Sequence, residues 1–513
     1  MSVTVTGTAP AATAPATRRP RRPRTAAVLA LARVETRELL LQIPVFALLV
    51  LYLGYTCWQL WPGSAPMDAF PALQDADRAT QDRPLLVAVA VLVCANRAVL
   101  RSRRRGTDQS FDVLVVEPWR RTAAHALSVV PVAVLTALVV ALDFTRTALR
   151  PGAVGHGSAA ELAVGPLTVL LAGVVGVLLA RLVPSAFAAP LLVVGALVLA
   201  TLLSAGPADS RVQWLRPVVT DVGTDPLPSD LLGRPAAWHA LYLLGLAAAL
   251  ACAAVLASGG RTRLVAAMTA AALAATGAGV AGQSSGDPAA LAAAREKASV
   301  SPEKVQSCLT RGRSTYCAYP EWAPWTAEWD RVVGRVRSLA GGAAAGMPLT
   351  VRQRVDARYG PDGDASLVPS RTPGLVTAGT RWGGNRVPEF AVAVASVLVT
   401  GDENTMSTVC DARVVTVMWL ALGAESDPVS AFGHVRLDDN VSGPGIALTP
   451  TNPLSMTAGQ TAVVRELLRK PRSGVTAKVK AHWAELTSPG TTTARAAELL
   501  DVPAPEGADA CGE

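Results

Sequence analysis

The sequence predicts an all-α fold: a polytopic transmembrane helix bundle, a six-span core plus a seventh span, followed by a mainly helical soluble C-terminal domain. Three observations predict it. The chain of 513 residues is 50% hydrophobic and 17% charged, where a soluble domain carries about 25% charged residues. The deficit is local, because apolar runs fill residues 40–282 while 283–513 have an ordinary globular composition. The charge divides at the same place. Residues 1–282 hold 24 Arg, no Lys and 15 acids, a net +9, and residues 283–513 hold 18 Arg, 5 Lys and 24 acids, a net −1. The overall +8 therefore belongs to the apolar half, where Arg beside a span sets topology or touches anionic lipid. A nucleic-acid partner would call for a basic face on a soluble domain, so none is expected.

Residues 1–24, Ala/Thr/Pro-rich and ending in "RRPRRPR", read as a disordered basic cytoplasmic tail. The segment "TAAVLALARVETRELLLQI" covers the amphipathic interfacial helix expected over 25–42. Its apolar start is soon broken by Arg33, Glu35 and Arg37, which argues against a cleaved signal peptide. Seven spans follow within 43–282, at 43–61, 84–100, 122–142, 164–181, 186–204, 237–257 and 264–282, each near the length a helix needs to cross a bilayer.

With the N-terminus inside, the inner side receives 17 Arg and the outer loops 62–83, 143–163 and 205–236 receive seven. That is the orientation the positive-inside rule selects. Trp58 and Trp61 fit an outer aromatic belt and Trp119 an inner anchor. An odd number of spans puts 283–513 outside as an extracytoplasmic domain; if the seventh segment does not cross, that domain is cytoplasmic. The expected location is the plasma membrane, with several passes. The spans hold almost no ionisable residues; Arg97 and Asp143 sit at span ends, and Asn96 is the polar exception. A charge in mid-bilayer is costly and kept where it acts, so ion-coupled transport is not expected. "GVVG" at 173–176 and "GAGVAG" at 277–282 read as places of close helix approach.

The inner loop "RSRRRGTDQSFDVLVVEPWRRT", 101–122, is more than a positive topology signal, because charge alone needs no apolar run such as "FDVLVV". That run must lie on the inner leaflet or dock into a partner. The order of elbow helix, two spans and this loop resembles the permease subunits of ABC-2-type transporters, over residues 25–257. Gly106 and Thr107 match the family's Gly-Thr, Leu114 its apolar contact and Pro118 the Pro before the third span. The resemblance implies a short coupling helix that meets a separate ATPase subunit, with Gly106, Thr107, Phe111, Asp112, Leu114, Glu117 and Pro118 forming the contact. It also implies a homodimer or a paired sister permease, and leans to export. The sequence departs from the pattern at Arg104 and Arg105, where an acid often stands, and in its seventh span. It contains no GxxxxGK[ST] phosphate loop, so ATP hydrolysis is expected on another chain.

The C-terminal domain is read as helical from stripes such as "WTAEWDRVVGRVRSLA", where Trp325, Trp329, Val332, Val333, Val336 and Leu339 share a face. "EFAVAVASVLV", "DARVVTVMWLALGAES", "GQTAVVRELLRK" and "VTAKVKAHWAELT" are further helices. No catalytic residue is assigned. "GQSSG" at 282–286 matches a nucleophile elbow around Ser284 in letters only, because no strand precedes it. There is no HExxH motif; His434 and His482 are far apart, and "DDNVSGPGIALT", with Asp438, Asn440, Ser442 and Gly443, lacks the bidentate Glu of a calcium loop. No metal or cofactor is expected.

Cys308 and Cys317 stand nine positions apart ahead of "AYPEWAPW". Outside the membrane such a pair forms a structural disulfide. A redox pair would favour C-x-x-C and a metal would need four ligands. Cys410 and Cys511 are a candidate second pair; Cys57, Cys94 and Cys252 read as apolar packing residues. The segment resembles one found in actinobacterial and other Gram-positive permease-like proteins, in which a Cys pair precedes a His-Pro-aromatic cluster. Cys308, Cys317, Pro320 and Trp322 match it, and Tyr319 replaces the His. Some relatives carry a peptidase-like outer domain, so a membrane-anchored binding, sensing or degenerate peptidase-like module is the second reading. An integral membrane enzyme is a third.

Overall fold

The computed structural model describes residues 24–58, 71–106, 117–204, 213–219, 225–360, 367–384, 386–435, 443–451 and 453–504. It is mostly helical. Helix α1 (Arg24–Leu40) meets α2 (Ile43–Trp58) at a 70° bend. A short α3 (Leu73–Ala79) precedes α4 (Pro84–Val99), and α5 (Pro118–Leu127) runs into α6 (Val130–Ala148). There follow α7 (Ala159–Leu182), α8 (Ala188–Ser204), α9 (Ala236–Ala257) and α10 (Arg263–Gln283).

The described parts of all seven apolar segments are helical, but they are not equal. Among the described residues four helices are long and apolar enough to cross a membrane: the α5–α6 pair, α7, α9 and α10. The bent α1–α2 pair makes a fifth if it counts as one span. The 16-residue α4 and the 17-residue α8 are shorter; at 1.5 Å per residue they reach about 24–26 Å, less than a hydrocarbon core of about 30 Å. Pro84 starts α4, and a turn of helix at Arg101–Arg104 follows directly after it.

Small residues set the helix crossings. A Cβ on Gly176 of α7 would lie 2.3 Å from the Leu92 carbonyl oxygen of α4, and one on Gly173 would strike Val129 and Val91. Gly279 and Gly282 of α10 press on Tyr242 and Trp238 of α9, so the two glycine motifs are close approaches, while Gly277 faces open space. Buried Asn96 donates from Nδ2 to the Gly176 carbonyl at 3.3 Å. Apolar side chains of α2, α6, α8 and the start of α10 remain exposed, including Phe46, Leu138, Leu197 and Met268. That is the surface a lipid-facing bundle presents.

The C-terminal domain corrects the all-α expectation. After α11 (Ala289–Val300) come β1 (Ser307–Arg311) and β2 (Ser314–Ala318), then α12 (Thr326–Leu339), β3 (Thr350–Gln353) and β4 (Leu375–Ala378). They form a four-stranded sheet in the order β1-β2-β3-β4, with β1–β2 antiparallel and the other two pairings parallel. Helices α13 (Arg386–Thr400) and α14 (Arg413–Leu422) are almost wholly buried. A hairpin of β5 (Gly445–Ala447) and β6 (Leu454–Met456), then α15 (Ala458–Arg469) and α16 (Arg472–Ala481), follow in the chain. The stripe predicted on α12 is buried in full, with Trp329 packed edge-on to Trp382 and near Phe390.

Candidate functional site

The bundle has two differently built ends. At one, Glu35 of α1 lies 3.5 Å from Arg101 and 3.6 Å from His125 of α5. Thr122 of α5 meets Ser258, just after α9, at 2.8 Å. The coupling-loop residues expected from the sequence emerge here. Gly106 closes the Arg101–Arg104 turn with φ +64°, a left-handed conformation that glycine adopts freely. Glu117 pairs with Arg120 at 2.8 Å, and Pro118 opens α5 at its first position, where no N–H is needed. Thr107, Phe111, Asp112 and Leu114 lie outside the described residues.

At the other end the C-terminal domain is seated on the loops. Its core includes four residues from elsewhere in the chain: Ala72, Val154, Leu227 and Leu231. Glu321, between β2 and α12, accepts the Ser229 N–H at 3.1 Å and a bond from Gln74 Nε2 at 3.3 Å. Gln74 Nε2 also donates to the Leu227 carbonyl at 2.8 Å. Arg381 pairs with Asp225 at 3.0 Å. Arg295 of α11 is a strut: its Nε donates to the Leu231 carbonyl at 2.7 Å, its Nη2 to Leu232 at 2.6 Å, and its Nη1 binds Asp287. The loops between α2 and α4, α6 and α7, and α8 and α9 thus share one platform with the domain. Helix α10 runs antiparallel to α9, bringing Gln283 beside His239 at 3.2 Å, so the chain reaches this same end.

A cleft of about 630 Å³ opens at this junction, between the ends of α9 and α10 and the C-terminal domain. Clefts of about 300–1,000 Å³ at domain junctions are the usual size of ligand sites. Trp214, Trp238 and Tyr359 supply aromatic lining; Arg234, Gln283 and Arg295 supply the polar groups. Arg234 is buried and already engaged, donating from Nε to Glu161 at 2.7 Å and lying over the Trp214 ring at 4.9 Å. Gln283 is buried and its Nε2 has no hydrogen-bond partner. The lining therefore combines ring faces with one unpartnered donor, Gln283 Nε2, beside the paired Arg295 and Asp287.

The disulfide expected between Cys308 and Cys317 is present. Cys308 and Cys317 are directly paired across β1 and β2 and form a disulfide, with Cα atoms 4.0 Å apart. The stretch is thus a stapled β-hairpin, and Tyr319, Trp322 and Trp325 behind it enter the core. Cys410 is disulfide-bonded too, and Cys511 lies outside the described residues. Cys94 and Cys252 are buried and free; Cys57 is free and exposed. Ser284 caps the C-terminal end of α10, an α-helix where a nucleophile elbow needs a strand. Asp438, Asn440 and Ser442 lie outside the described residues.

No family model, no curated protein and no solved structure matches this chain.

Sequence reasoning missed the seat. Its one local signal is "LQDADRATQDR", where Gln74, Asp77 and Gln81 recur at helical spacing inside a loop. The partners of those residues are 80 to 247 positions away, beyond the reach of any periodicity.

Proposed function

We propose that this chain is the permease subunit of an ABC-2-like transporter of the plasma membrane. It would export a substrate using ATP hydrolysed by a separate subunit, as a homodimer or beside a sister permease. The observation that carries the reading is the division of the bundle into two ends. One is an elbow-and-loop end closed by Gly106 and restarted by Pro118. The other is occupied by the seated domain. An exporter needs that division: an ATPase contact on the inner face and an exit on the outer face. The 70° elbow before α2 supports the same order of elements. In this reading the N-terminus is cytoplasmic, the C-terminal domain is extracytoplasmic, and the junctional cleft stands at the exit.

One observation favours the second reading, a sensing or binding module held by a membrane foot. The domain's core takes residues from the loops between the spans, so bundle and domain form one continuous body at this end. A ligand in the cleft would then act on the domain, and no ATPase would be required.

Co-purification separates the two. The full chain is expressed with the phosphate-loop ATPase of its host and captured through a tag. Association is expected for the wild type, with most of it lost in Leu114→Ala and Glu117→Ala. Unchanged association and transport in both variants would remove the coupling-loop claim and leave the module reading.

A further inference from the structure

Helix α3 lies against the approach to α7 in three rungs. Gln74 rests on Gly155, where a Cβ would come within 1.9 Å of Gln74 Oε1. Asp77 Oδ2 accepts the Ser158 N–H at 2.7 Å. Gln81 Nε2 donates to Glu161 Oε2. The three side chains share one face of the helical path, and the residues are 2%, 2% and 1% exposed. Each rung leaves one buried oxygen without a hydrogen-bond partner: Gln74 Oε1, Asp77 Oδ1 and Gln81 Oε1. A row of acceptors with no donor is costly, since a buried polar atom left unmade loses its hydration without replacement.

Of the charges around Asp77, only the adjacent Arg78 guanidinium draws its carboxyl down, and burial outweighs it. On its own segment, Arg78 is engaged with the Gln74 carbonyl and Asp75, and Asp82 and Arg83 follow. On α6, Asp143 is held by Arg83 and Arg146, and Arg150 lies just beyond. On the approach to α7, His156 is exposed; in α7, Glu161 is paired with Arg234. The C-terminal domain contributes another acid, Glu321. Burial raises the Asp77 carboxyl most, the Ser158 N–H draws it down, Glu161 raises it further, and the Arg78 backbone N–H and guanidinium lower it; it stands at about 7 against an ordinary 3.8.

We propose that Asp77 is a proton-binding site that latches the C-terminal domain onto the loops. A proton from the solution bathing the domain binds Oδ1, turning an acceptor into an O–H donor between the two unpartnered amide oxygens of Gln74 and Gln81. Gln74 is then held as the pivot whose Nε2 binds Leu227 and Glu321. Loss of the proton leaves a buried negative charge beside Glu161 and behind that pivot, and the seat loosens. The site needs no ATPase, and it lies outside the spans.

The sign follows from linkage. The seated state binds the proton more tightly than the unseated one, so seating is strongest at low pH and weakens as pH rises through about 7. Between pH 6 and pH 8 the seating equilibrium changes by up to about tenfold, the limit for an Asp77 that returns to its ordinary 3.8 on unseating. Hydrogen exchange on the full chain, corrected for intrinsic rates and measured at pH 6, 7 and 8, reads it. Protection of the amides of Leu73 and Ser229, bonded to Val154 and Glu321 respectively, is expected to fall, by up to about tenfold, while amides inside α13 stay level. Asp77→Asn, with an amide in place of the acid, is expected to hold pH 6 protection throughout. A flat wild-type profile, or the same slope in Asp77→Asn, overturns the proposal. Should Asp77→Asn fail to fold, the wild-type profile at Leu73 and Ser229 against α13 still decides it.

Discussion

Gly176→Ala asks whether the α4–α7 crossing is set by backbone contact. The added methyl would stand 2.3 Å from the Leu92 carbonyl oxygen and 3.1 Å from its carbon. Ordinary contact begins near 3.4 Å, and neither atom is the end of a flexible side chain, so α4 must retreat by about 1 Å. A gap of that size forfeits a quarter to a half of each dispersion contact it opens, along a seam that buries Val87, Val91, Cys94 and Ala95. It also stretches the 3.3 Å bond from Asn96 to the Gly176 carbonyl; a buried amide that loses its partner costs about 1–3 kcal/mol. Against this stands a gain of about 0.5–1 kcal/mol for replacing a helical Gly by Ala. The net expectation is a loss of about 2–3 kcal/mol, within the range for overpacking. Gly195→Ala on α8, where a Cβ meets nothing within 4 Å, is the matched control and keeps only the gain. Thermal unfolding of both variants in the same detergent should place Gly176→Ala well below wild type and Gly195→Ala at or above it. A Gly176→Ala midpoint equal to that of the control would refute the steric argument.

Two further outcomes concern the C-terminal domain. Replacing Cys308 and Cys317 together by Ser removes a cross-link with a sequence separation of 9, which the chain-entropy model values at about 2.7 kcal/mol. The hairpin should still form because Tyr316 and Trp322 remain buried behind it, and comparing unfolding midpoints with and without reductant in wild type and variant checks this. Glu403 is buried and accepts from Ser370 N at 2.9 Å, Thr377 N at 2.5 Å and Thr377 Oγ at 3.0 Å. Glu403→Gln turns one acceptor into a donor facing donors, so stability should fall by about 1–3 kcal/mol, whereas an unchanged midpoint would show that the carboxylate is not needed there.

The helices of the bundle were legible because a run of about 20 apolar residues leaves few alternatives. The glycine motifs were legible for a related reason: in lipid, small residues are how helices approach. The lengths of α4 and α8 were less so, since hydropathy does not mark where a helix stops. In the C-terminal domain the long stripes of α12, α13 and α14 were readable, but β3 and β4 were not. "TVRQ" and "LVTA" are four residues each, and short strands of a parallel pairing lack the clean alternation that announces a strand. In the hairpin around Gly312 the cysteines carry the sequence signal and the strands do not. The seat and the Asp77 latch join residues from three loops and a distant domain, so only the fold could assemble them.

The measurement that bears most directly on the account is two-sided cysteine labelling in intact membranes. Ser102 and Ser299 are replaced by Cys, one at a time, in a chain whose native free cysteines have been changed to Ser. The account predicts that a membrane-impermeant reagent labels the position at 299 from outside, and reaches the position at 102 only after the membrane is opened. Equal labelling of both positions from one side would place the seated domain and the Gly106 loop on the same face, contradicting a permease with an inner ATPase contact and an outer domain.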